Sequence, residues 1–354
     1  MRGRLDWSLK AFHEKYGEVV RFSPDELSFT SMQAWKDIYA AREAVLIKDP
    51  QWYNIVKLGY DGAASIFNAD NQNHLRLRKQ LNHAFSEKAL CDQEASMKVY
   101  VDLMIGKLRG VAAAGLPVDM VMWYNFTTFD SIGDLAIGKS FGCLNNSHYH
   151  SWVSGIFKAI KIGPYIRAMA QYTDIQRLMR VLAPSSVKEA RAKHEEYVKV
   201  NAQERISKGI MEERKDFLSY ILGSRDQKDK LTDEEIAANC GFLILAGSET
   251  TATALSGVTY YLLKTPKALR TITKEVRTAF ASEAEIDFAN TAARLPYMLA
   301  CFQESLRVYP PGPTGGPRRT PKGSMTSIAG HQVPGWVSPP FPRIQKLEPD
   351  GISC

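Results

Sequence analysis

At 354 residues the chain is long enough to bury a large core, and its composition, 45% apolar and 23% charged, excludes a disordered protein. The net charge is +7, from 45 basic and 38 acidic residues, and the basic residues are scattered along the chain. This charge is compatible with a solvated surface, an acidic protein partner, an anionic membrane surface or nucleic acid, and does not separate these classes.

The first predicted elements are a short helix and a β hairpin. The hairpin consists of Val19–Ser23 and Glu26–Thr30, two segments of alternating apolar residues on either side of a turn at Pro24-Asp25. From about residue 74 to residue 309 the pattern is almost wholly helical. Residues 95–109 carry apolar residues at every third or fourth position, which predicts an amphipathic helix, and a second helix is expected over Phe126–Ile137.

A long helix is the best-marked element of the chain. Thr232 and Glu235 form a capping-box pattern, in which each side chain satisfies a backbone donor at the start of a helix. The apolar residues that follow predict that this helix continues to Lys264.

Proline marks the elements that follow the long helix. Two helices are predicted to begin at Pro266 and Pro296, because proline fits the first turn of a helix, and the second of them ends at Tyr309. Ten of the 17 prolines lie between Pro310 and Pro349, so no long helix is expected there. A small hairpin is predicted within residues 325–333. The whole pattern predicts a mainly α fold with a small β portion.

Cysteine content and apolar run length exclude several classes of site. None of the cysteines forms a CxxC pair or has zinc-ligand neighbours, and their odd number predicts reduced thiols facing the cytosol. No run is long enough to span a bilayer, and we expect a soluble or peripheral protein. The basic residues lack a groove-fitting motif, so no nucleic-acid partner is expected, whereas a membrane surface is compatible with the sequence. The cysteines are Cys91, Cys143, Cys240, Cys301 and Cys354.

The middle of the long helix reads Ala246-Gly247-Ser248-Glu249-Thr250-Thr251. A helix this apolar should be buried, and a carboxylate with hydroxyls is costly there unless it is paired. Gly247 removes a side chain and lets a large group approach the backbone, and Thr250 can donate backward to a carbonyl. We interpret this segment as a polar notch that faces a ligand. The alternative is a polar kink satisfied by neighbouring helices.

Two further clusters are weaker when taken alone. Glu304 and Arg307 are three residues apart on a helix and can form an ion pair, but such pairs are common and mostly superficial. His74 and Arg78 are four residues apart and could clamp a carboxylate or phosphate. The alternative for this second cluster is an exposed basic turn of a helix.

Together and in this order, the three clusters resemble the motifs of the cytochrome P450 family. AGSETT is similar to the family's central helix motif, ESLR followed by YPPGP to its Glu-x-x-Arg helix and exit, and HLRLRKQLNHAFS to its propionate-binding helix. Residues 124–144 resemble fungal microsomal members that oxidise terpenoids or other secondary metabolites. The resemblance covers roughly residues 10–337.

This resemblance implies a cytochrome P450 fold and a haem cofactor. It also implies electrons from NADPH through a separate NADPH–cytochrome P450 reductase, and a place on the cytosolic face of the endoplasmic reticulum membrane. A small apolar substrate would be lined partly by the segments around 50–72 and 150–215.

Residue roles follow from the resemblance position by position. His74, Arg78 and Arg318 would contact the haem propionates, and Ala246 and Gly247 would lie against the haem face.

The same resemblance implies two paired roles outside the haem contacts. Glu249 and Thr250 would deliver protons during oxygen activation, a task that suits a carboxylate and a hydroxyl in a mostly dry pocket. Glu304 and Arg307 would form a buried structural pair that braces the loop of the haem-ligating cysteine.

The resemblance is incomplete towards the C-terminus. The family ligates iron through a cysteine in a Phe-x-x-Gly-x-Arg-x-Cys-x-Gly loop, and the residues around Cys354 do not match it. We therefore expect the axial cysteine to be absent and assign no metal ligand. Residues 1–337 are expected to be a partial cytochrome P450 domain without an N-terminal anchor, and residues 338–354 an irregular tail outside the family pattern.

We accordingly expect a truncated gene product or a truncated gene model, for which two function classes remain. The first is a P450-type monooxygenase that is inactive as this chain. The second is a non-catalytic remnant or mis-predicted gene product without haem.

Overall fold

The computed structural model describes residues 5–40, 46–55, 63–157, 161, 165, 185–211, 215–223, 229–312 and 315–335. Besides short 3-10 and π turns and a helical stretch at 151–157, the helices are α1 Leu5–Tyr16, α2 Met32–Trp35, α3 Pro50–Ile55, α4 Asn71–Leu81, α5 Glu87–Ala113, α6 Met120–Ile137, α7 Cys143–Asn146, α8 Ser185–Ser207, α9 Phe217–Gly223, α10 Asp233–Lys264, α11 Pro266–Ala279, α12 Phe288–Arg294 and α13 Pro296–Val308. The strands are β1 Val19–Ser23, β2 Glu26–Phe29, β3 Ile47–Lys48, β4 Arg318–Arg319, β5 Met325–Ile328 and β6 His331–Pro334.

These elements belong to two compact units. The helical unit is Lys57–Pro311, and the mixed unit is Met1–Val56 together with Gly312–Cys354. The predicted fold class, mainly α with a small β portion, is confirmed by these elements.

The long helix α10 has the limits that the sequence predicts. Thr232 is its N-cap: the Thr232 hydroxyl accepts from the Glu235 backbone N–H at 3.2 Å, and Glu235 Oε2 accepts from the Thr232 N–H at 3.0 Å. This capping box satisfies two backbone donors that the first turn of a helix otherwise leaves without partners. The helix then runs to Lys264, as expected.

Helix α10 packs antiparallel along α6 through the centre of the helical unit. Near one end Cys240 Sγ donates to the Ala136 carbonyl at 3.1 Å, and near the other the hydroxyls of Tyr124 and Thr259 are 2.7 Å apart. Full burial of a large apolar side chain stabilises a fold by about 1.5–3 kcal/mol relative to its exposure. The largest fully buried apolar side chains of this unit are Phe126, Phe129, Leu77, Leu144, Ile156, Leu218, Ile236 and Ile244.

The segment that leads into α4 lies against the first half of α10. Asn239 Oδ1 accepts from the Ile66 backbone N–H at 2.8 Å, and the rings of Phe67 and Phe242 stack with centroids 5.1 Å apart. These contacts place the start of α4 next to the N-terminal turns of α10.

In the mixed unit, two antiparallel hairpins confirm both predicted turns. β1 pairs with β2, and β5 pairs with β6. His13 of α1 is buried against the first hairpin, where its Nε2 is 2.7 Å from the Ser28 hydroxyl. The small apolar core of this unit contains Phe29, Ala34, Ile38, Leu46, Ile328 and Val333.

Among the helices that the structure describes, none is both long enough and apolar enough to cross a membrane.

Candidate active site

The centre of α10 has one buried and one open hydroxyl. Ser248 is fully buried and donates to the Ile244 carbonyl at 2.6 Å, so its hydroxyl is satisfied within the helix. Thr250 is exposed, and its Oγ1 donates to the Ala246 carbonyl at 2.5 Å. The backward hydrogen bond expected of Thr250 is therefore present, on a face of the helix that is open.

Glu249, between these two hydroxyls, has an unsatisfied buried oxygen. Its Oε2 is buried and has no hydrogen-bond partner in the part of the chain that the structure describes. Burial raises the pKa of this carboxyl above its usual value. The pKa of the Tyr149 phenol is raised to about 12, first by burial and second by the charge of Glu249. An uncompensated carboxylate is costly in such surroundings, so this environment favours the protonated acid.

Gly247 permits the close approach that the sequence predicts, and the group that approaches is a side chain of α6. A Cβ atom at Gly247 would be 2.8 Å from Cδ1 of Ile132, closer than van der Waals contact allows. A side chain at position 247 would therefore force the Ile132 side chain to shift. Its contact with haem stays a prediction.

On α4, His74 and Arg78 lie one turn apart, as the sequence indicates, with Asp70 as the N-cap. His74 is half-buried, and Arg78 is exposed without a carboxylate partner among the described residues. Arg76 lies between them in the sequence, and its guanidinium forms an ion pair with Glu235 at the start of α10. Arg78 is thus an uncompensated cation that suits a carboxylate or phosphate.

Glu304 and Arg307 form the expected ion pair. The sequence predicts that this pair is buried, but in the structure it is partly exposed. Nε and Nη2 of Arg307 donate to the two carboxylate oxygens of Glu304 at 2.6 and 2.5 Å. The hydrogen bond from Arg307 is the main reason why the pKa of Glu304 lies below its usual value. The side chains of Glu304 and Arg307 are 35% and 34% exposed. Its role in bracing a cysteine loop stays a prediction.

Arg318 belongs to the mixed unit, on strand β4. Its guanidinium carbon lies 5.5 Å from the ring centroids of both Tyr39 and Tyr53, and its Nη1 donates to the Tyr53 hydroxyl at 3.1 Å. The sequence reasoning missed both tyrosines, since they precede Arg318 by more than 260 positions and no local pattern links them. Only the pairing of β3 with β4 brings them together.

A cysteine that serves as the axial ligand of a haem iron does so as a thiolate. Burial raises the pKa of Cys143 to about 11 and that of Cys240 to about 12, so both are protonated thiols at neutral pH. Cys91 is exposed on α5, and Cys354 lies outside the described residues.

The other expected haem contacts fit the group better. Thr250 is open, the Glu249 oxygen is unsatisfied, and Arg78 and Arg318 each lack a carboxylate partner in the described ranges. Each of these two cations, taken in its own unit, suits a porphyrin carboxylate. The donor set therefore fits the distal and propionate contacts of haem, and the buried thiols do not fit the axial position.

Comparison with known proteins agrees with the motifs. The family model described as "Cytochrome P450" matches residues 2–335. The chain is 46% identical over 333 residues to trichothecene C-4 hydroxylase of Trichoderma arundinaceum, covering 94% of this chain and 65% of that protein. It is 43% identical over 334 residues to cytochrome P450 monooxygenase olcB of Penicillium canescens, covering 94% and 66%. The chain thus spans just under two thirds of the length of these relatives.

Proposed function

Because the chain belongs to the cytochrome P450 family, we propose that it carries the oxygen-activating site of a haem-thiolate monooxygenase. The reaction inserts one oxygen atom of dioxygen into a small apolar secondary metabolite. The observation that carries this proposal is the buried, unsatisfied Oε2 of Glu249 next to the open hydroxyl of Thr250. A polar kink satisfied by neighbouring helices, the alternative interpretation, would leave no such oxygen without a partner.

The proposal assigns five residues to the binding of the haem. His74, Arg78 and Arg318 bind its propionates, and Ala246 and Gly247 lie against its face. The lack of carboxylate partners for Arg78 and Arg318 in the described part of the chain supports the first assignment. When bound, the haem supplies the one-electron and oxygen chemistry that no amino-acid side chain can perform.

In this proposal two neighbouring residues of α10, Glu249 and Thr250, take part in proton delivery. Burial raises the pKa of Glu249, so this carboxyl holds a proton at a higher pH than an exposed glutamate does. The Thr250 hydroxyl donates to the Ala246 carbonyl, which leaves its oxygen lone pairs able to accept a proton-bearing partner. Glu249 is thus the proton source, and Thr250 the hydroxyl that orients a donor at the open face.

The names of the relatives support the proposed reaction class. One of them is named a trichothecene C-4 hydroxylase, and others are fungal monooxygenases. For this chain we propose a small apolar substrate, electrons from NADPH through a separate reductase, and a place at the cytosolic face of the endoplasmic reticulum membrane. The segments around 50–72 and 150–215 that would line the substrate lie partly outside the described residues.

A second proposal concerns the activity of these 354 residues by themselves. Cys143 and Cys240 are buried in the core of the helical unit, and no cysteine has the sequence context of the family loop. We therefore expect no thiolate-ligated haem in these 354 residues alone.

The test is a reduced carbon monoxide difference spectrum of two proteins expressed with a haem precursor. The first is the 354-residue chain, and the second is a chimera that carries a relative's cysteine loop after Val337. We expect the thiolate-type Soret band from the chimera and none from the first protein. A thiolate band from the 354 residues would contradict the second proposal, and soluble chimera without the band would contradict the first.

Glu249→Gln and Thr250→Ala in the chimera then test the proton assignment. Both should slow product formation and increase peroxide release, and Glu249→Gln should also flatten the pH profile. Thr271→Ala, which removes an exposed hydroxyl of α11 that donates to a helix carbonyl at 3.0 Å, is the matched control. Equal effects of Thr250→Ala and Thr271→Ala would contradict the assignment.

A further inference from the structure

Two adjacent arginines of strand β4 have different surroundings. β4 pairs antiparallel with β3, so that Arg318 lies opposite Lys48 and Arg319 opposite Ile47. Because successive side chains of a strand point to opposite faces, the two guanidinium groups separate. Arg319 is buried and its Nη2 is 3.0 Å from Oδ2 of Asp49. Arg318 has no carboxylate partner in the part of the chain that the structure describes.

Two tyrosines take the place of a counter-charge at Arg318. The rings of Tyr39 and Tyr53 each lie 5.5 Å from the guanidinium carbon, and Nη1 donates to the Tyr53 hydroxyl at 3.1 Å. An aromatic face attracts a cation without neutralising it, whereas a carboxylate would compete with any anionic ligand. Arg318 is therefore held in place while its positive charge stays available.

Both tyrosines also lie against the backbone just before Arg318. The Tyr39 hydroxyl donates to the Gly316 carbonyl at 2.9 Å, and any side chain at position 316 would overlap the Tyr53 hydroxyl. Burial raises the pKa of Tyr53, so its phenol remains protonated at neutral pH. Tyr39 and Tyr53 thus contact the Arg318 side chain and also lie next to Gly316, two residues before it.

We propose that Tyr39 and Tyr53 are positioning residues that hold the Arg318 guanidinium ready for a porphyrin carboxylate. This inference rests on the proposed function, which supplies the anion. A free arginine side chain loses much rotamer freedom when it binds, and fixing it beforehand removes that cost from the binding step. The resemblance singles out Arg318 without a physical reason, and the structure supplies one, since Arg319 is paired with Asp49 and Arg318 is not paired with a carboxylate of the described residues.

The experiment uses the full 354-residue chain and two porphyrins that need no axial ligand, protoporphyrin IX and its dimethyl ester. The ester has no free carboxylates, so the ratio of the two affinities, measured by fluorescence titration, reports carboxylate binding alone. Arg318→Gln should weaken protoporphyrin IX binding about tenfold or more and leave ester binding unchanged. Tyr39→Leu and Tyr53→Leu should each cost about three- to tenfold for the acid only.

A variant pair and a control separate positioning from general packing. Tyr53→Phe keeps the ring and removes one hydrogen bond, so its loss should be about threefold. Arg318→Gln/Tyr53→Leu should bind no more weakly than Arg318→Gln, since the tyrosine acts only through the arginine. Tyr16→Leu, at a tyrosine of α1 that is 61% exposed, should match the wild type.

Equal losses for acid and ester, or wild-type affinity in both leucine variants, would overturn the inference and leave the proposed function standing. A wild-type chain that binds neither porphyrin would overturn the proposed haem site, and this inference with it.

Discussion

The buried ion pair between Arg205 of α8 and Asp216, just before α9, makes a specific stability prediction. Nε and Nη2 of Arg205 donate to the two carboxylate oxygens of Asp216 at 2.8 and 2.9 Å, and Nη1 donates to the Gly209 carbonyl at 2.7 Å. The two side chains are 3% and 1% exposed. Asp216 also accepts from the Ser219 backbone N–H at 2.8 Å. The ion pair and the hydrogen bond from Ser219 are buried, so solvent cannot replace them.

Asp216→Asn keeps the shape of this side chain and removes its charge, so the Arg205 guanidinium stays buried without a counter-charge. Removal of one partner of such a pair costs about 3–5 kcal/mol of unfolding free energy. For a unit of this size we expect the melting temperature to fall by on the order of 10 °C. Replacing both partners with apolar residues of similar volume, as in Arg205→Met/Asp216→Leu, should cost much less, because no buried charge then remains.

The assay is thermal and urea unfolding followed by helical circular dichroism. Lys208→Ala is the matched control, because Lys208, the residue after the end of α8, pairs with Glu204 of that helix at 2.9 Å while both side chains are 54% exposed. An exposed pair of this kind contributes about 0–1 kcal/mol. The reasoning would be refuted if Asp216→Asn and Lys208→Ala had similar effects, or if the double apolar variant were less stable than Asp216→Asn.

Three further predictions concern α10 and the start of α5. Burial raises the folded-state pKa of Glu249, so its contribution to stability is present below about pH 4.3, the unfolded value, and is lost as pH rises through the folded value. Glu249→Gln should therefore become more stable than the wild type between pH 4.5 and pH 8, which denaturation at both pH values measures, and a constant difference would contradict the shift. Gly247→Ala should cost about 1–3 kcal/mol by overlap with Ile132, and Ile132→Ala should recover part of that loss in the double variant. Ser86 accepts from the Ala89 N–H as the N-cap of α5, so Ser86→Ala should cost about 1 kcal/mol in urea unfolding, and an unchanged midpoint would count against the cap.

Local signals in the sequence predicted the limits of elements where a cap or a proline marks them. Thr232 and Glu235 located the start of α10, and Pro296 the start of α13. Helix α5 extends beyond the predicted 95–109 in both directions, and its N-cap is Ser86, a typical capping residue that lies outside the periodic segment. Helix α6 likewise begins before the predicted Phe126, with Asp119 as its N-cap.

Contacts between distant segments were beyond sequence reasoning for a physical reason. The partners of Arg318 and Arg319 depend on which face of β4 each side chain occupies, and that is set by the pairing with β3. Whether Glu249 Oε2 has a hydrogen-bond partner depends on which side chains α6 and the other packed elements place around it. The residue types at the candidate site were predictable from motifs, whereas their burial was not: the Glu304–Arg307 pair, expected to be buried, is one-third exposed.

Cys240, whose Sγ donates to the Ala136 carbonyl, can be used to measure the opening of the α6–α10 interface. The thiol is 1% exposed in the α6–α10 interface, and its pKa of about 12 keeps it unreactive there. Alkylation needs a thiolate that a reagent can reach, so Cys240 can react only after the two helices separate. Its alkylation rate in native buffer, compared with that of the exposed Cys91, therefore measures how often the central helix pair comes apart without unfolding agents.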